Sequence, residues 1–180
     1  MITFLKLGGS LITDKNKAHH AREDVIRRLA AETLNGLRHN PQERLILGHG
    51  SGSFGHFPAK KFGTRDGVRS RTEWEGFAEV HYEASSLNQI VTDIYRRHDL
   101  PCLTFTPLSS VCAREGKIKS WEISPIRTAL ENGLIPVVYG DTVFDTDQGG
   151  TILSTEDLFV ALAAQIGEPS RLLLAGLEEG

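Results

Sequence analysis

Gly48-His49-Gly50-Ser51-Gly52-Ser53-Phe54-Gly55-His56 follows directly on a short apolar run, Arg44 to Leu47, and this junction decides the fold. An apolar run that ends in glycine reads as a buried strand delivering the chain into a loop. Gly48, Gly50, Gly52 and Gly55 are too costly in chain entropy to be filler, so something must approach that backbone. Upstream, Ile2 to Leu7 repeats the pattern and ends in Gly8-Gly9. Between the two runs, Val25, Ile26, Leu29, Ala30, Leu34 and Leu37 keep helical spacing from Ala21 to Arg38, with Glu23 and Asp24 early and Arg38 and His39 late, as the helix dipole prefers.

Downstream, Trp74 to Arg97 carries Phe77, Val80, Ala84, Leu87, Val91 and Ile94 at alternating gaps of three and four, a stripe that suits core packing or a subunit interface. Cys102 to Phe105 reads as a third strand, and Val111 to Ser120, turning at Glu115-Gly116, as a hairpin. Ser124-Pro125 opens a helix that Gly133 ends, with serine as the cap and proline in the first turn. Ile135 to Tyr139 is a fourth strand, and Thr142 to Leu153 a second hairpin turning around Asp147 to Gly150. Ser154-Thr155-Glu156-Asp157 resembles a capping box for a helix to Ile166, before a last strand from Arg171 to Ala175. Strands alternating with helices imply an α/β fold, a mainly parallel sheet covered on both faces, with ligands at the carboxyl ends of the strands.

Composition narrows the function classes. One hundred and eighty residues suit a single domain, and 39% apolar with 24% charged residues argue against disorder or a whole-chain coiled coil. Twenty Lys and Arg against twenty-three Asp and Glu leave a net charge of −3, so neither nucleic acid nor an anionic membrane is an expected partner, and any anion must be gripped locally. Cys102 and Cys112 show no metal-ligand spacing, no metal site is expected, and a reducing cytoplasm is the expected location. Apolar stretches such as Leu158 to Ala164 fall short of the roughly 20 residues a membrane span needs.

The chemistry concentrates in the two glycine loops. Gly8, Gly9 and Ser10 would let backbone amides approach an anion, and Lys6 adds a point charge worth about 4 kcal/mol, before desolvation, to a phosphate at ~4 Å and an effective dielectric near 20. Gly50, Gly52 and Gly55 also match the GxGxxG of dinucleotide-binding units. That pattern needs a helix straight after the third glycine, whereas His56-Phe57-Pro58 and a basic segment with Lys60, Lys61, Arg65, Arg69 and Arg71 read as a mobile, solvated loop. The sequence has no GxxxxGK[ST], no protein-kinase signature and no GxSxG elbow. Two glycine loops at neighbouring strand ends, each with a cation or a potential one, suit two phosphate groups held face to face.

Lys6-Leu7-Gly8-Gly9-Ser10, the loop closing on Phe54-Gly55-His56, Tyr139-Gly140-Asp141 and Ser154 to Asp157 together resemble the isopentenyl phosphate kinases of the amino acid kinase superfamily, in order along essentially the whole chain. The resemblance implies an open αβα sandwich of amino acid kinase type as one domain over 1–180, ATP and Mg²⁺ as cofactors, isopentenyl phosphate as acceptor, and a homodimer. By position, Lys6, Gly8, Gly9, Ser10, Gly52 and Gly176 would hold ATP. Lys15 would stabilise the transition state, and Asp157 would orient the lysines. Ser51, His56, Gly140, Asp141 and Thr155 would bind the acceptor, with Phe77, Val80 and Ile94 as candidate walls for its tail. Sister kinases acting on another small phosphonate, phosphate or carboxylate, the fosfomycin kinases among them, are the alternative, as is a noncatalytic nucleotide-binding module. The family continues by roughly a further third of chain that supplies adenine contacts and another lysine, and its segment matching the end of this sequence usually carries an Asp near Glu178 and Glu179. Either the sequence is cut short or half of the ATP pocket is absent; only if 180 residues is the whole product are weak nucleotide binding, little turnover and an exposed sheet edge expected.

Overall fold

The computed structural model describes residues 1–14 and 16–177. Lys15, the expected transition-state cation, lies outside the described residues, as do Glu178 and Glu179. Five strands, β1 (Ile2–Leu7), β2 (Arg44–His49), β3 (Cys102–Thr104), β6 (Ile135–Tyr139) and β9 (Ser170–Ala175), form an all-parallel sheet in the order β3-β6-β2-β1-β9. Successive side chains on a strand point to opposite faces. Ile2, Phe4, Ile46 and Val138 accordingly pack on α6 (Ser124–Glu131) and α7 (Thr155–Ile166). Leu7, Leu45, Leu47 and Val137 pack on the opposite side against α1 (Gly9–Ile12), α2 (Glu23–His39), α3 (Gly52–Phe62) and α4 (Arg71–Arg97). This is the expected three-layer sandwich.

The α4 stripe belongs to the core: Phe77, Val80, Ala84, Leu87, Val91 and Ile94 are all buried within this one chain. Both expected hairpins form, β4 (Val111–Arg114) with β5 (Lys117–Trp121) and β7 (Asp141–Asp145) with β8 (Gly149–Leu153), antiparallel within each pair. They join through β4 and β7 into a second sheet, after the short α5 (Pro107–Ser110). At the β9 edge of the main sheet, Leu172, Leu173 and Leu174 are exposed.

Two sequence expectations need correction. The basic run from Lys60 to Arg71, though exposed, is not simply a loop: α3 runs from Gly52 to Phe62, a 3-10 turn spans Thr64–Asp66 and α4 begins at Arg71. Pro58 sits inside α3, where a missing amide and a ring clash cost ~3 kcal/mol in an isolated helix. Tertiary packing outweighs that cost, since α3 lies on α4 so closely that a Cβ at Gly76 would meet Phe62 Cγ at 2.2 Å. The glycine loop therefore does enter a helix, but the chain continues into α4 rather than returning to a strand, which is not the dinucleotide-binding unit. Secondly, Ser124 is the first residue of α6 and not its cap; the Glu122 carboxylate accepts from the Ser124 amide at 2.8 Å.

Candidate functional site

Parallel pairing places Lys6 opposite Gly48 and Leu7 opposite His49, so the two glycine turns leave the sheet side by side. They touch. A Cβ at Gly9 would stand 2.6 Å from the Gly52 nitrogen, which only glycine permits, and one at Gly50 3.2 Å from the Gly9 nitrogen, a tight contact. Gly8 donates its amide to Ala175 O at 2.8 Å, which brings Gly176 alongside the first turn. The amides of Gly9 and Ser10 have no partner among the described residues.

Both turns open on one cavity of about 990 Å³, lined by Gly9, Ser10, Gly50, Ser51, His56 and Gly140 among others. Lys60 and Arg65, read from sequence as solvated, line it too. His56 is exposed on α3, one turn beyond Ser51, and Gly55 leaves room for the Ser51 hydroxyl: a Cβ there would lie 2.6 Å from Ser51 Oγ. Of the expected tail walls, Val80 borders the cavity. Phe77 packs with Trp74 and Phe144, and Ile94 belongs to the core under α2, so neither of these two forms its wall.

Several expected site residues are otherwise engaged. Asp141 is fully buried, with His81 Nδ1 donating to its carboxylate at 3.0 Å and the Thr142 amide at 2.8 Å; its neighbour Gly140 is what faces the cavity. Burial pushes the Asp141 carboxyl up, against the pull of His81, while the carboxylate raises the His81 imidazole above its ordinary value. Thr155 is buried and donates its hydroxyl to His49 O at 2.6 Å; its expected role rests on the amides at the start of α7, and its own nitrogen lies 3.7 Å from where a Cβ on the cavity-lining Gly140 would stand. Asp157 is the capping-box residue of α7, accepting from the Ser154 amide at 2.9 Å and hydroxyl at 2.7 Å. The carboxylate that meets the Lys6 ammonium is its neighbour Glu156. Burial opposes the charge on Glu156, but Lys6 outweighs it and holds the carboxyl below its usual range.

Sequence reasoning passed over Thr13, His81 and Glu156. His81 carried a usable signal, because it flanks the apolar stripe of α4 four residues after Phe77. His49 is a buried ring stacked on Tyr139 with centroids 5.4 Å apart, and burial lowers its pKa. Among the described residues no group of three or more His, Cys, Asp or Glu could hold a metal, and no helix is long and apolar enough to cross a membrane.

A model of the amino acid kinase family matches residues 1–176. The isopentenyl phosphate kinase of Methanocaldococcus jannaschii is 36% identical over 172 residues, 92% of this chain and 65% of that protein. The Haloferax volcanii isopentenyl phosphate kinase is 31% identical over 166 residues, again 92% of this chain and 65% of the relative. A solved isopentenyl phosphate kinase structure superposes with a TM-score of 0.90 at 31% identity, over 99% of this chain and 74% of the other. Aspartate kinase from Synechocystis shares the fold at a TM-score of 0.65 and 13% identity, over 96% of this chain and 28% of that one. The chain spans 65% or less of the length of the curated relatives it matches.

Proposed function

Because the chain belongs to the amino acid kinase family, we propose that it transfers the γ-phosphoryl group of ATP to isopentenyl phosphate, giving isopentenyl diphosphate and ADP. The observation that carries this reading is the contact between Gly9 and Gly52 at the mouth of one cavity that His56 also lines. Similarity to isopentenyl phosphate kinases supports the choice of acceptor.

The residues fit the expected cofactors by their chemistry. Backbone amides at Gly9 and Ser10 and the ammonium of Lys6 suit phosphate oxygens, with Gly8 and Gly176 giving the close backbone approach. The donor set suits a nucleotide that brings Mg²⁺ on its own phosphates rather than a protein-built metal cage. When bound, ATP supplies the phosphoryl group and Mg²⁺ neutralises its charge.

Ser51, His56 and the Gly140 backbone would hold the acceptor phosphate, with Val80 beside its apolar tail. A phosphomonoester has a second pKa of about 6 and is mostly dianionic at neutral pH, so no general base is required. One of its oxygens forms the new P–O bond as the bond to ADP breaks. The chain's task is to position two mutually repelling anions and to neutralise charge between them. Lys6, oriented by Glu156, and Lys15 are the cations assigned to that task, and Asp157 acts on them through the α7 cap. Two free thiols suit a reducing cytoplasm.

The test is steady-state ADP release with isopentenyl phosphate as acceptor. His56→Ala is expected to lower acceptor kcat/KM at least tenfold and leave the KM for ATP within threefold. Unchanged acceptor kinetics in that variant would remove the role given to His56.

A further inference from the structure

We propose that Thr13 is a positioning residue for phosphoryl transfer: its hydroxyl fixes the spacing between the two glycine turns while touching neither phosphate, an inference that rests on the phosphotransfer reading above.

Thr13 is fully buried where α1 ends. Its Oγ1 donates to Gly9 O at 2.7 Å and accepts from the Ser53 amide at 2.9 Å. One hydroxyl therefore joins the carbonyl of the first turn to the opening of α3, forty residues on, using its donor on one side and its acceptor on the other. Gly52 is shaped around it. Its φ of +52° is a left-handed conformation, and a Cβ there would stand 2.2 Å from Thr13 Oγ1. Glycine at 52 thus has a packing reason beside its expected contact with ATP. The same bond takes the Ser53 amide out of the set of donors free to meet an anion.

Each turn is anchored at its base to the neighbouring strand, the first by Gly8 to Ala175 O of β9 and the second by Gly50 to Leu7 O of β1 at 3.2 Å. Loss of the Thr13 hydroxyl would leave both anchors in place, so both ligands would still bind. With the bases still joined through Gly50 and Leu7, what would change is the spacing further out, between Gly9 O and the opening of α3, and with it the distance between the two ligands. In-line transfer requires reacting atoms about 3–3.5 Å apart, and a displacement of ~1 Å can cost ~100-fold in rate.

The experiment compares Thr13→Val, which keeps the shape and removes the hydroxyl, with Thr13→Ser, which keeps the hydroxyl, in steady-state kinetics with ATP and isopentenyl phosphate. Thr13→Val is expected to lose at least tenfold in kcat with both KM values within threefold, and Thr13→Ser to stay within threefold of the parent. Thr13→Ala carries the valine expectation if the valine variant fails to fold. Retained kcat without the hydroxyl, KM values that rise in its place, or a serine variant as poor as valine would overturn the proposal. A parent protein that transfers no phosphoryl group to isopentenyl phosphate would end the functional reading instead. Thr13 is then judged by hydrogen exchange at the Ser53 amide: at least tenfold faster exchange in Thr13→Val and unchanged exchange in Thr13→Ser sustain its role as the link between the turns, and equal rates in all three overturn it.

Discussion

His81 Nδ1 stands 3.0 Å from the carboxylate of the fully buried Asp141, which adjoins the cavity-lining Gly140. The pair ties the middle of α4 to the start of β7 and so fixes one wall of the cavity. Because the carboxylate raises the His81 pKa, the folded state binds that proton more tightly than the unfolded state. The stabilisation is fully present below the ordinary imidazole value near 6.5 and is lost as pH rises through the higher, folded-state value. Thermal midpoints should therefore fall as pH rises above 6.5, and fall less steeply in His81→Gln. An NMR titration placing the His81 pKa at or below that of a free imidazole would contradict this.

Gly9 and Gly36 offer a matched pair of alanine substitutions. At Gly9 a Cβ meets the backbone of Gly52, which no rotamer can relieve, so Gly9→Ala should destabilise by about 1–3 kcal/mol and lower kcat at least tenfold. Gly36, inside α2, has nothing within 4 Å of a new Cβ, and Gly36→Ala should stabilise by about 0.5–1 kcal/mol. Denaturant melts read both signs, and equal effects would show that the turns are not in forced contact.

Asp145 closes the tips of both hairpins. Its carboxylate accepts from the amides of Glu115, Gly116, Asp147 and Gln148. Gln148 O in turn takes the Val68 amide at 2.8 Å, just beyond the cavity-lining Arg65 and Asp66. Burial alone would push the Asp145 carboxyl up, but the amides win and hold it below its usual range. Its stabilisation is therefore present above the ordinary aspartate value and lost as pH falls through the depressed one. Asp145→Asn should cost about 2 kcal/mol at neutral pH and show a shallower loss of stability below pH ~4. Equal acid profiles for parent and variant would count against this.

His19, at a φ of +54°, meets the buried carboxylate of Glu83 on α4 at 2.6 Å. His19→Ala leaves that carboxylate without this partner and should cost about 1–3 kcal/mol, with faster proteolytic nicking in 16–20. Adding Glu83→Gln should recover most of the loss. A double variant as unstable as His19→Ala would show that the pair is not the cause.

Much of the fold was readable because it rests on local patterns. Apolar runs ending at Gly8 and Gly48 gave the strands, the spacing from Phe77 to Ile94 gave the long helix, and Ser154 to Asp157 gave a capping box whose two reciprocal bonds are formed. The two glycine turns were legible for the same reason. The misses share a different origin. α3 was hidden by Pro58 and by glycines that individually oppose helix, and only packing on α4 makes it helical. Asp141 is an acceptor-site residue by motif, yet its carboxylate is already engaged by His81, while the hydroxyl of Thr155 goes to His49 O and leaves only its backbone amide for the expected role. Thr13 gave no signal because its second partner lies forty residues away. Which of two adjacent carboxylates turns toward Lys6 depends on the start of α7: Asp157 folds back on the cap, leaving Glu156 to make the ion pair.

The reaction proposed for the paired glycine turns is transfer of the γ-phosphoryl group of ATP to the phosphate of isopentenyl phosphate. It is tested most directly by following the phosphorus-31 spectrum of the protein with ATP, Mg²⁺ and isopentenyl phosphate. The expected outcome is loss of the monophosphate signal with matched growth of the coupled doublets of isopentenyl diphosphate and the signals of ADP. ADP forming at the same rate without acceptor, or a monophosphate signal that never diminishes, would contradict it.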